Sequence, residues 1–315
     1  MDIITDEKLC GMTVREVLQK ELRYSSNMIK KLKFSDGGIL VNGSFVTVRY
    51  ELKRGDVLSL AVEDKAEDVS PYTVPSPIHI DIIYEDEWLT AVNKPHAMPS
   101  HPSLGHKTDT VSNALAYRYR DKNYVFRPVN RLDRDTSGCM LTANSKAASY
   151  IMYKSMVDGD IKKYYVAVTD GFPDTDEGTL RSYLKREEGS IIKRAVTTAD
   201  DVEGKIAVTE FRVLWREGSH GVLLLSPVTG RTHQIRLQLA DFGCPVTGDD
   251  MYGCPSSHIL RQALHSFVTK LPHPNSGEAL KLTAPLKDDM TNLIRAVFSD
   301  SDRVLDKILK TAQLL

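Results

Sequence analysis

The stretch RPVNRLDRDTSGCMLTA concentrates ionised side chains in a few positions. Arg131, Asp133, Arg134 and Asp135 fall within five residues, and two small hydroxyl residues and Gly138 follow before an apolar segment. A carboxylate between guanidinium groups stays ionised and is held by charge-assisted hydrogen bonds, and glycine permits close backbone approach. Such a carboxylate can act as a nucleophile or a general base. A purely structural network of arginines and aspartates is the alternative from these residues alone.

The elements around this cluster predict a mixed fold. From Ile78 onward, short strands, turns and modest helices follow one another in no strict β–α–β order, which indicates an α+β fold with a mixed, largely antiparallel sheet. IHIDIIYEDEWLTAVNKP predicts two strands with an acidic turn, YIMYKSM a helix, KKYYVAVTDG a strand, and TEFRVLWREGSHGVLLLSP a hairpin with Gly221 near its turn. The C-terminal segment predicts a helix that docks through one apolar face, formed by Val304, Leu305, Ile308, Leu309 and Ala312.

The N-terminal residues predict a small α+β domain of their own. MTVREVLQKEL shows helical apolar spacing, and Thr13 and Glu16 have the spacing of a capping box. A second short helix is predicted over 26–34, and Asn42-Gly43 predicts a tight hairpin turn. Acidic residues followed by Pro71, Pro75 and Pro77 suggest a linker. We therefore divide the chain into residues 1–62, a linker at 63–77, and a large domain at 78–315.

Basic residues are enriched in this small domain. Between Arg23 and Arg54 seven lysines and arginines stand against two acidic residues, although the whole chain has a net charge of −1. Such a patch suits contacts with nucleic-acid phosphates. The predicted contacts are Arg23, Lys30, Lys31 and Lys33. A solvated helix face is the alternative for the lysine run.

These segments resemble those of two known families. RLDRDTSG resembles the signature of the ribosomal large-subunit pseudouridine synthases. VNKPHAMPSHPS, KKYYVAV, GRTHQIRLQLADFGCPVTGDDMYG and RQALHSFVTKLPHP resemble further segments of that family in the same order, from about Val92 to Pro285. The small domain, over roughly residues 10–62, resembles the RNA-binding domain named after ribosomal protein S4.

The first resemblance implies roles for individual residues. It makes Asp133 the catalytic aspartate, Arg236 the arginine that pairs with it, and Tyr164 the active-site tyrosine. Tyr165 is the alternative, and Tyr164 is preferred because it keeps the family's spacing from Lys162. The reaction would isomerise a flipped-out uridine to pseudouridine in RNA. The extruded nucleotide would be held by Arg131, Arg231, His233 and Gln234. The alternative for GRTHQIR is a helix start that Thr232 caps, with His233 as a buried structural residue.

The resemblance also sets expectations about partners. Isomerisation of uridine adds no atoms and exchanges no electrons, so neither a cofactor nor a metal is expected. The expected partner is RNA, ribosomal in the first place, with transfer RNA as the alternative. We expect a monomer without an obligate protein partner. The absence of an apolar run of roughly 18 residues and of a basic leader predicts a cytoplasmic protein without membrane contact.

Three other functions compete with this one. A non-catalytic RNA-binding or ribosome-assembly factor would have no need of Asp133, the tyrosine and Arg236 together. A glycosidase-like hydrolase normally needs two carboxylates that flank the bond, which Asp133 and Asp135 would have to supply. A hydrolase triad of His106, Asp109 and Ser112 lacks a nucleophile-elbow motif.

Overall fold

A computed structural model describes residues 2–22, 24, 26–35, 37–61, 69–70 and 73–315, with residues 27, 28 and 31 described by their backbone alone. The elements follow in chain order as β1 Asp2–Ile4, α1 Val14–Glu16, α2 Ser26–Phe34, β2 Ile39–Val41, β3 Ser44–Phe45, β4 Val57–Leu60, β5 Asp81–Glu85, β6 Leu89–Lys94, α3 Val111–Arg118, β7 Ser137–Ala143, α4 Lys146–Val157, β8 Lys162–Asp170, β9 Glu177–Arg186, β10 Arg194–Thr197, β11 Lys205–Glu217, β12 His220–Pro227, α5 Gln234–Asp241, β13 Leu264–Pro272, β14 Ala279–Thr283, α6 Asp288–Val297 and α7 Ser301–Leu314.

The N-terminal part forms a small unit with a four-stranded antiparallel sheet in the order β1-β4-β2-β3. The predicted capping box is confirmed, because Thr13 Oγ1 accepts the Glu16 N–H at 3.2 Å and the Glu16 carboxylate accepts the Thr13 N–H at 3.0 Å. The helix continues beyond α1 as a π-helical segment, Val17–Glu21. Asn42 and Gly43 have φ angles of 50° and 77°, which confirms the predicted hairpin turn.

The large unit is built on a sheet to which the described residues contribute ten strands. Their order is β10-β9-β11-β12-β8-β13-β7-β6-β5, and β14 adds to β13. The pairs are antiparallel except for β13 and β7, which run parallel. This confirms the predicted mixed α+β fold. The β11–β12 hairpin is also present, but its turn lies at Gly218 and Ser219, and Gly221 lies inside β12.

The C-terminal helix α7 docks on the body of the large unit as predicted. Val304, Ile308 and Ala312 are buried in the main hydrophobic cluster, and α7 lies against β11. Leu309 differs from the prediction, because its side chain is 57% exposed. It follows Ile308 by one residue, which is a rotation of about 100° around the helix, so it sits at the edge of the apolar face. No helix within the described ranges is both long and apolar enough to span a bilayer.

The small unit is packed against the large one through α4. Tyr150 is buried in the small unit's hydrophobic cluster, and Ile151 packs against the same cluster. The rings of Tyr24 and Tyr150 meet edge to face, with centroids 4.1 Å apart. Helix α4 therefore carries the small unit on one side while it lies along β7 on the other.

Part of the predicted linker is attached to the large unit. Residues 62–68, 71 and 72 lie outside the described residues. After them, Asn113 Nδ2 in α3 donates to the Val74 carbonyl at 2.7 Å, and the Ser76 N–H donates to the Asn113 carbonyl at 3.1 Å. Residues 73–77 are thus held along α3.

Candidate active site

The loop that carries Asp133 is fixed through its backbone. Four successive carbonyls accept hydrogen bonds from outside donors or from the loop itself. The pairs are Leu132 with Ser100 Oγ at 3.0 Å, Asp133 with the Thr136 N–H at 3.1 Å, Arg134 with Lys94 Nζ at 2.8 Å, and Asp135 with Arg261 Nη1 at 3.1 Å. Because rotation of these peptides would break hydrogen bonds, the backbone position of Asp133 is fixed by its surroundings.

Close contact between β7 and β13 explains the glycine that follows this loop. Gly138 has a φ angle of 110°, which side-chain-bearing residues rarely adopt. A Cβ atom at this position would lie 2.2 Å from the Ser266 carbonyl oxygen in β13. The predicted close backbone approach at Gly138 is therefore present, and its partner is a neighbouring strand.

Lys94 is a fully buried cation beneath the loop. Its Nζ donates to three backbone carbonyls at 2.7–2.9 Å, those of Pro95, Met98 and Arg134. Three acceptors match the three N–H groups of an ammonium. Burial lowers the pKa of Lys94 to about 7, against the charges of Asp135 and Asp133, which raise it. Lys94 therefore connects β6 to the loop through an ionisable group.

Arg236, in α5, is placed between two carboxylates. Its Nε and Nη2 donate to Asp249 at 2.6 and 2.7 Å, and its Nη1 lies 3.6 Å from Asp133 Oδ2. Burial would lower the pKa of Arg236, but the hydrogen bonds and charge of Asp249 outweigh it, and the pKa is raised. Asp249 is fully buried. Arg236 is thus permanently charged and directed toward Asp133.

Tyr252 connects this ion pair to its surroundings. The Arg236 guanidinium lies over the Tyr252 ring, 5.3 Å from its centroid. The Tyr252 hydroxyl is 2.9 Å from His233 Nδ1 and accepts the Arg194 backbone N–H at 2.8 Å. Burial lowers the pKa of His233, which favours a neutral ring. The arginine is therefore packed against an aromatic face that is itself anchored to β10.

The tyrosine that shares a pocket with Asp133 is Tyr165. A cavity of about 100 Å³ is lined by Asp133, Arg236, Tyr165 and Lys163 among others, and Tyr164 is absent from its lining. Successive side chains of a strand face opposite ways, so the faces of Lys163 and Tyr165 coincide and Tyr164 points away. Burial raises the pKa of the Tyr165 hydroxyl. This geometry favours Tyr165 over the predicted Tyr164, because the residue chosen by its spacing from Lys162 lies on the face of β8 that points away from the pocket.

A wider groove opens from the same pocket. It encloses about 780 Å³ and is lined by one carboxylate, that of Asp133, within the described part of the chain. Its cationic lining residues are Arg131, Arg134, Lys163, Arg194 and Arg231. Burial lowers the pKa of Lys163. We call this surface the Asp133 groove; its charge favours a polyanion along its length.

The four residues predicted to hold a nucleotide differ in whether their side chains can reach a ligand. Arg131, His233 and Arg231 line the pocket, as does Gln234. Arg131 is exposed and Arg231 makes a hydrogen bond through Nε to the Ile206 carbonyl at 3.1 Å, so both guanidinium groups can reach a ligand. Gln234 is buried with all four of its hydrogen-bonding positions used, by Thr229, the Arg231 N–H, Val208 and Thr209. Gln234 is therefore better placed to hold the 229–231 loop in position than to contact a bound nucleotide.

The start of α5 departs from the pattern of a threonine cap. The helix begins at Gln234, and His233 occupies the N-cap position in the left-handed conformation with a φ angle of 57°. Thr232 therefore does not cap it. His233 is buried and bonded to Tyr252, as a structural histidine would be.

The basic residues predicted in the small unit are partly described. Arg23 and the side chain of Lys31 lie outside the described residues, while Lys30 and Lys33 are exposed on α2. A surface groove of about 540 Å³ is lined by Arg15, Lys33 and Arg49, and its lining includes the exposed Phe45. Arg15 was not predicted. A cationic groove with an accessible aromatic ring suits single-stranded nucleic acid.

The competing hydrolase arrangements are not assembled. His106 Nδ1 lies 2.6 Å from Asp109 Oδ2, but the Ser112 hydroxyl donates to Thr73 Oγ1 at 3.5 Å. Asp135 does not line the Asp133 pocket and accepts hydrogen bonds from Arg134 and from the Ala97 N–H. A second carboxylate that flanks a substrate bond is thus not found among the described residues around that pocket.

The sequence motifs did not predict a role for several residues of the site. Asp249, Tyr252 and Lys94 stand within segments that were recognised, GDDMYG and VNKP, but without roles of their own. The available sequence signal for Asp249 was an acidic residue after a glycine, 13 positions beyond Arg236. Only folding brings Asp249 into contact with Arg236. Arg194 lies in a segment to which no motif pointed, and β10 places it beside the groove.

Comparisons with known proteins agree with this fold. The chain matches the family described as RNA pseudouridylate synthase over residues 89–241. It is 38% identical over 286 residues to the uncharacterized RNA pseudouridine synthase YjbO of Bacillus subtilis. The matched region covers 90% of this chain and 99% of that protein. It is 32% identical over 301 residues to ribosomal large subunit pseudouridine synthase D of Neisseria meningitidis, and the matched region covers 91% of this chain and 79% of that protein.

A solved structure supports the fold independently. Human RNA pseudouridylate synthase domain containing 1 has a TM-score of 0.58 at 23% identity, covering 75% of this chain and 96% of that chain. The chain belongs to the RNA pseudouridylate synthase family. It is therefore an enzyme, an isomerase whose substrate is RNA.

Proposed function

We propose that this enzyme converts specific uridines to pseudouridine in structured RNA, and that its substrate is the 23S RNA of the large ribosomal subunit. The convergence of Asp133, Arg236 and Tyr165 in one pocket, at the base of a cationic groove, carries the proposal. The choice of ribosomal RNA is supported by the relative in Neisseria meningitidis that is named for the ribosomal large subunit.

The target uridine enters the pocket as a flipped nucleotide. A base inside a stacked helix is inaccessible, and extruding it costs a few kcal/mol. The cations of the Asp133 groove offset part of this cost by binding the phosphates on either side. Arg131 and Arg231 lie at the pocket mouth and contact the extruded nucleotide, while His233 and Gln234 hold the pocket wall in shape.

Asp133 acts on the sugar. Its carboxylate either attacks the anomeric carbon, forming a covalent ester while the bond to ring nitrogen one breaks, or removes the proton from the neighbouring sugar carbon to give a glycal. The freed uracil turns and its carbon five joins the anomeric carbon. On the first route this breaks the ester bond and frees Asp133, and on the second route Asp133 returns the proton to the neighbouring sugar carbon. The proton on carbon five leaves, and nitrogen one gains a proton. No atoms are added or lost.

Arg236 and Tyr165 support these steps. Arg236 orients the Asp133 carboxylate, since the geometry of Arg236 is itself fixed by Asp249. Tyr165 stacks against the base and helps to remove the proton from carbon five. The small unit, which we take to be an S4-like RNA-binding domain, contacts RNA outside the pocket through Lys30, Lys33 and the groove beside them.

Mapping pseudouridines in ribosomal and transfer RNA tests the proposal. RNA would be compared from cells with the wild-type chain, with the gene deleted, and with Asp133→Asn or Asp135→Asn as the allele. We expect one or a few sites in 23S RNA to disappear in the deletion and in Asp133→Asn, and to persist in Asp135→Asn. Loss of sites in transfer RNA instead would correct the substrate. Normal modification by Asp133→Asn would overturn the role of Asp133 and favour a non-catalytic RNA-binding function.

A further inference from the structure

The hairpin formed by β9 and β10 ends in a tip that exposes two adjacent isoleucines. Ile191 is 84% exposed and Ile192 is 61% exposed. Burial of an aliphatic side chain of this size is favourable, because it removes apolar surface from water. Two neighbouring ones at a projecting turn form an apolar point that the fold leaves unburied.

The tip is an ordered turn. Ser190 Oγ accepts the N–H groups of Ile192 and Lys193 at 3.3 and 2.9 Å, and the Glu187 N–H donates to the Lys193 carbonyl at 3.1 Å. Arg194 Nη1 donates to the carbonyls of Ile192 and Lys193, both at 3.0 Å. The backbone that displays the isoleucines is therefore held by its own hydrogen bonds.

The tip is also tied to the pocket. The Arg194 N–H donates to the Tyr252 hydroxyl at 2.8 Å, and the Tyr252 ring packs on Arg236, which faces Asp133. Ile192 precedes Arg194 by two residues, which is about 7 Å along an extended chain. The isoleucines thus project at a fixed position relative to the Asp133 pocket.

The charges around the tip favour RNA as its partner. A groove of about 470 Å³ beside the hairpin is lined by five cations and one acid, namely Lys185, Arg186, Arg194, Lys205, Arg231 and Glu203. Two of the cations, Arg194 and Arg231, also line the Asp133 groove. A cationic track that attracts phosphates, next to an apolar projection, is the combination with which nucleic-acid-binding proteins part stacked bases.

We propose that Ile191 and Ile192 form a wedge that inserts between stacked bases of the RNA beside the target uridine, so that flipping into the pocket requires less work. The proposal rests on the proposed function and extends it to the step that precedes chemistry. The wedge acts on base stacking, whereas the neighbouring cations supply affinity.

A binding experiment tests the wedge without catalysis. The full chain is titrated into a short RNA hairpin that carries 2-aminopurine in its stem, whose fluorescence rises when the base loses its stacking partners. We expect the wild type and a Leu309→Ser control to raise the fluorescence at saturation. The double variant Ile191→Ser/Ile192→Ser should bind with a Kd within about threefold of the wild type, because phosphate contacts supply the affinity, yet lose most of the rise.

A kinetic experiment addresses the same wedge on the substrate. The double variant should form pseudouridine about tenfold more slowly in an RNA whose target lies in a paired stem, and within about twofold of the wild type where a mismatch has already unstacked it. An unchanged fluorescence rise in the double variant, no rise with the wild type, or equal slowing on both RNAs would overturn the wedge. Failure of the wild type to modify any RNA would instead contradict the proposed function, and the fluorescence result would still decide the wedge.

Discussion

Arg236 is bound to Asp249 by two hydrogen bonds of 2.6 and 2.7 Å, and this leaves Nη1 to face Asp133 at 3.6 Å. The tighter contact is thus with a carboxylate that has no access to solvent. Asp249 also accepts the N–H groups of Met251 and Tyr252 at 3.0 and 3.2 Å. Its place in the site is that of a positioning residue, which sets the direction of Arg236.

Asp249→Asn should therefore damage both stability and activity. The substitution turns an amide N–H toward the guanidinium and leaves a buried cation short of its counter-charge, which costs about 3–5 kcal/mol of unfolding free energy. Urea denaturation measures this loss. Asp306→Asn, which breaks an exposed pair with Lys310 in α7, should change stability by less than about 0.5 kcal/mol. Wild-type kcat in a folded Asp249→Asn protein would refute the positioning role.

The choice between the two tyrosines can be settled by paired substitutions. Tyr165→Phe removes a hydroxyl inside the Asp133 pocket, and we expect kcat to fall about 10²–10⁴-fold if that hydroxyl moves the proton from carbon five. Tyr164→Phe alters the opposite face of β8 and should leave kcat within about twofold. Single-turnover rates on one RNA substrate give both values. The reverse order of effects would restore Tyr164.

Lys94 gives a pH-dependent prediction. Between pH of about 7 and the ordinary lysine value of 10.5, the unfolded chain keeps the proton that the folded chain gives up. Stability contributed by this group therefore rises with pH across that window, by up to about 1.4 kcal/mol per pH unit, and is constant below it. The measurement is urea denaturation of the wild type and Lys94→Met at about pH 6 and about pH 9. A pH-independent difference would mean that Lys94 stays charged throughout.

The contact between Tyr24 and Tyr150 predicts how the small unit is held. Tyr150→Ala removes the buried ring in α4 against which Tyr24 packs, so the small unit should leave its position. Small-angle X-ray scattering should show a larger radius of gyration than for the wild type. Tyr153→Ala is the matched control, because Tyr153 lies on the same helix and is 47% exposed. Identical scattering for both variants would show that other contacts suffice.

The cations at the pocket mouth should appear in the salt dependence of RNA binding. Removing a cation that binds one phosphate lowers the slope of log K against log salt by about 0.7–0.9. Arg131→Gln and Arg231→Gln together should therefore reduce the slope by about 1.4–1.8. Arg295→Gln, an exposed arginine in α6, should leave it unchanged. An unaltered slope for the double variant would place the phosphates elsewhere.

Local sequence determined much of this protein. The capping box at Thr13, the hairpin turn at Asn42-Gly43 and the amphipathic helix α7 depend on neighbouring residues, and each is present as predicted. Ordered motifs likewise identified the family and predicted that Arg236 pairs with Asp133, and the two side chains lie 3.6 Å apart.

Tertiary structure determined contacts and strand faces that neighbouring residues in the sequence do not specify. The face of β8 that meets the pocket depends on how the strand pairs with β12 and β13, so only the folded sheet places Tyr165 rather than Tyr164 beside Asp133. The contact of Asp249 with Arg236 and of Lys94 with the Arg134 carbonyl join residues that are 13 and 40 positions apart. Such contacts arise from burial and sheet packing, which bring distant side chains together, and local spacing carries no record of them.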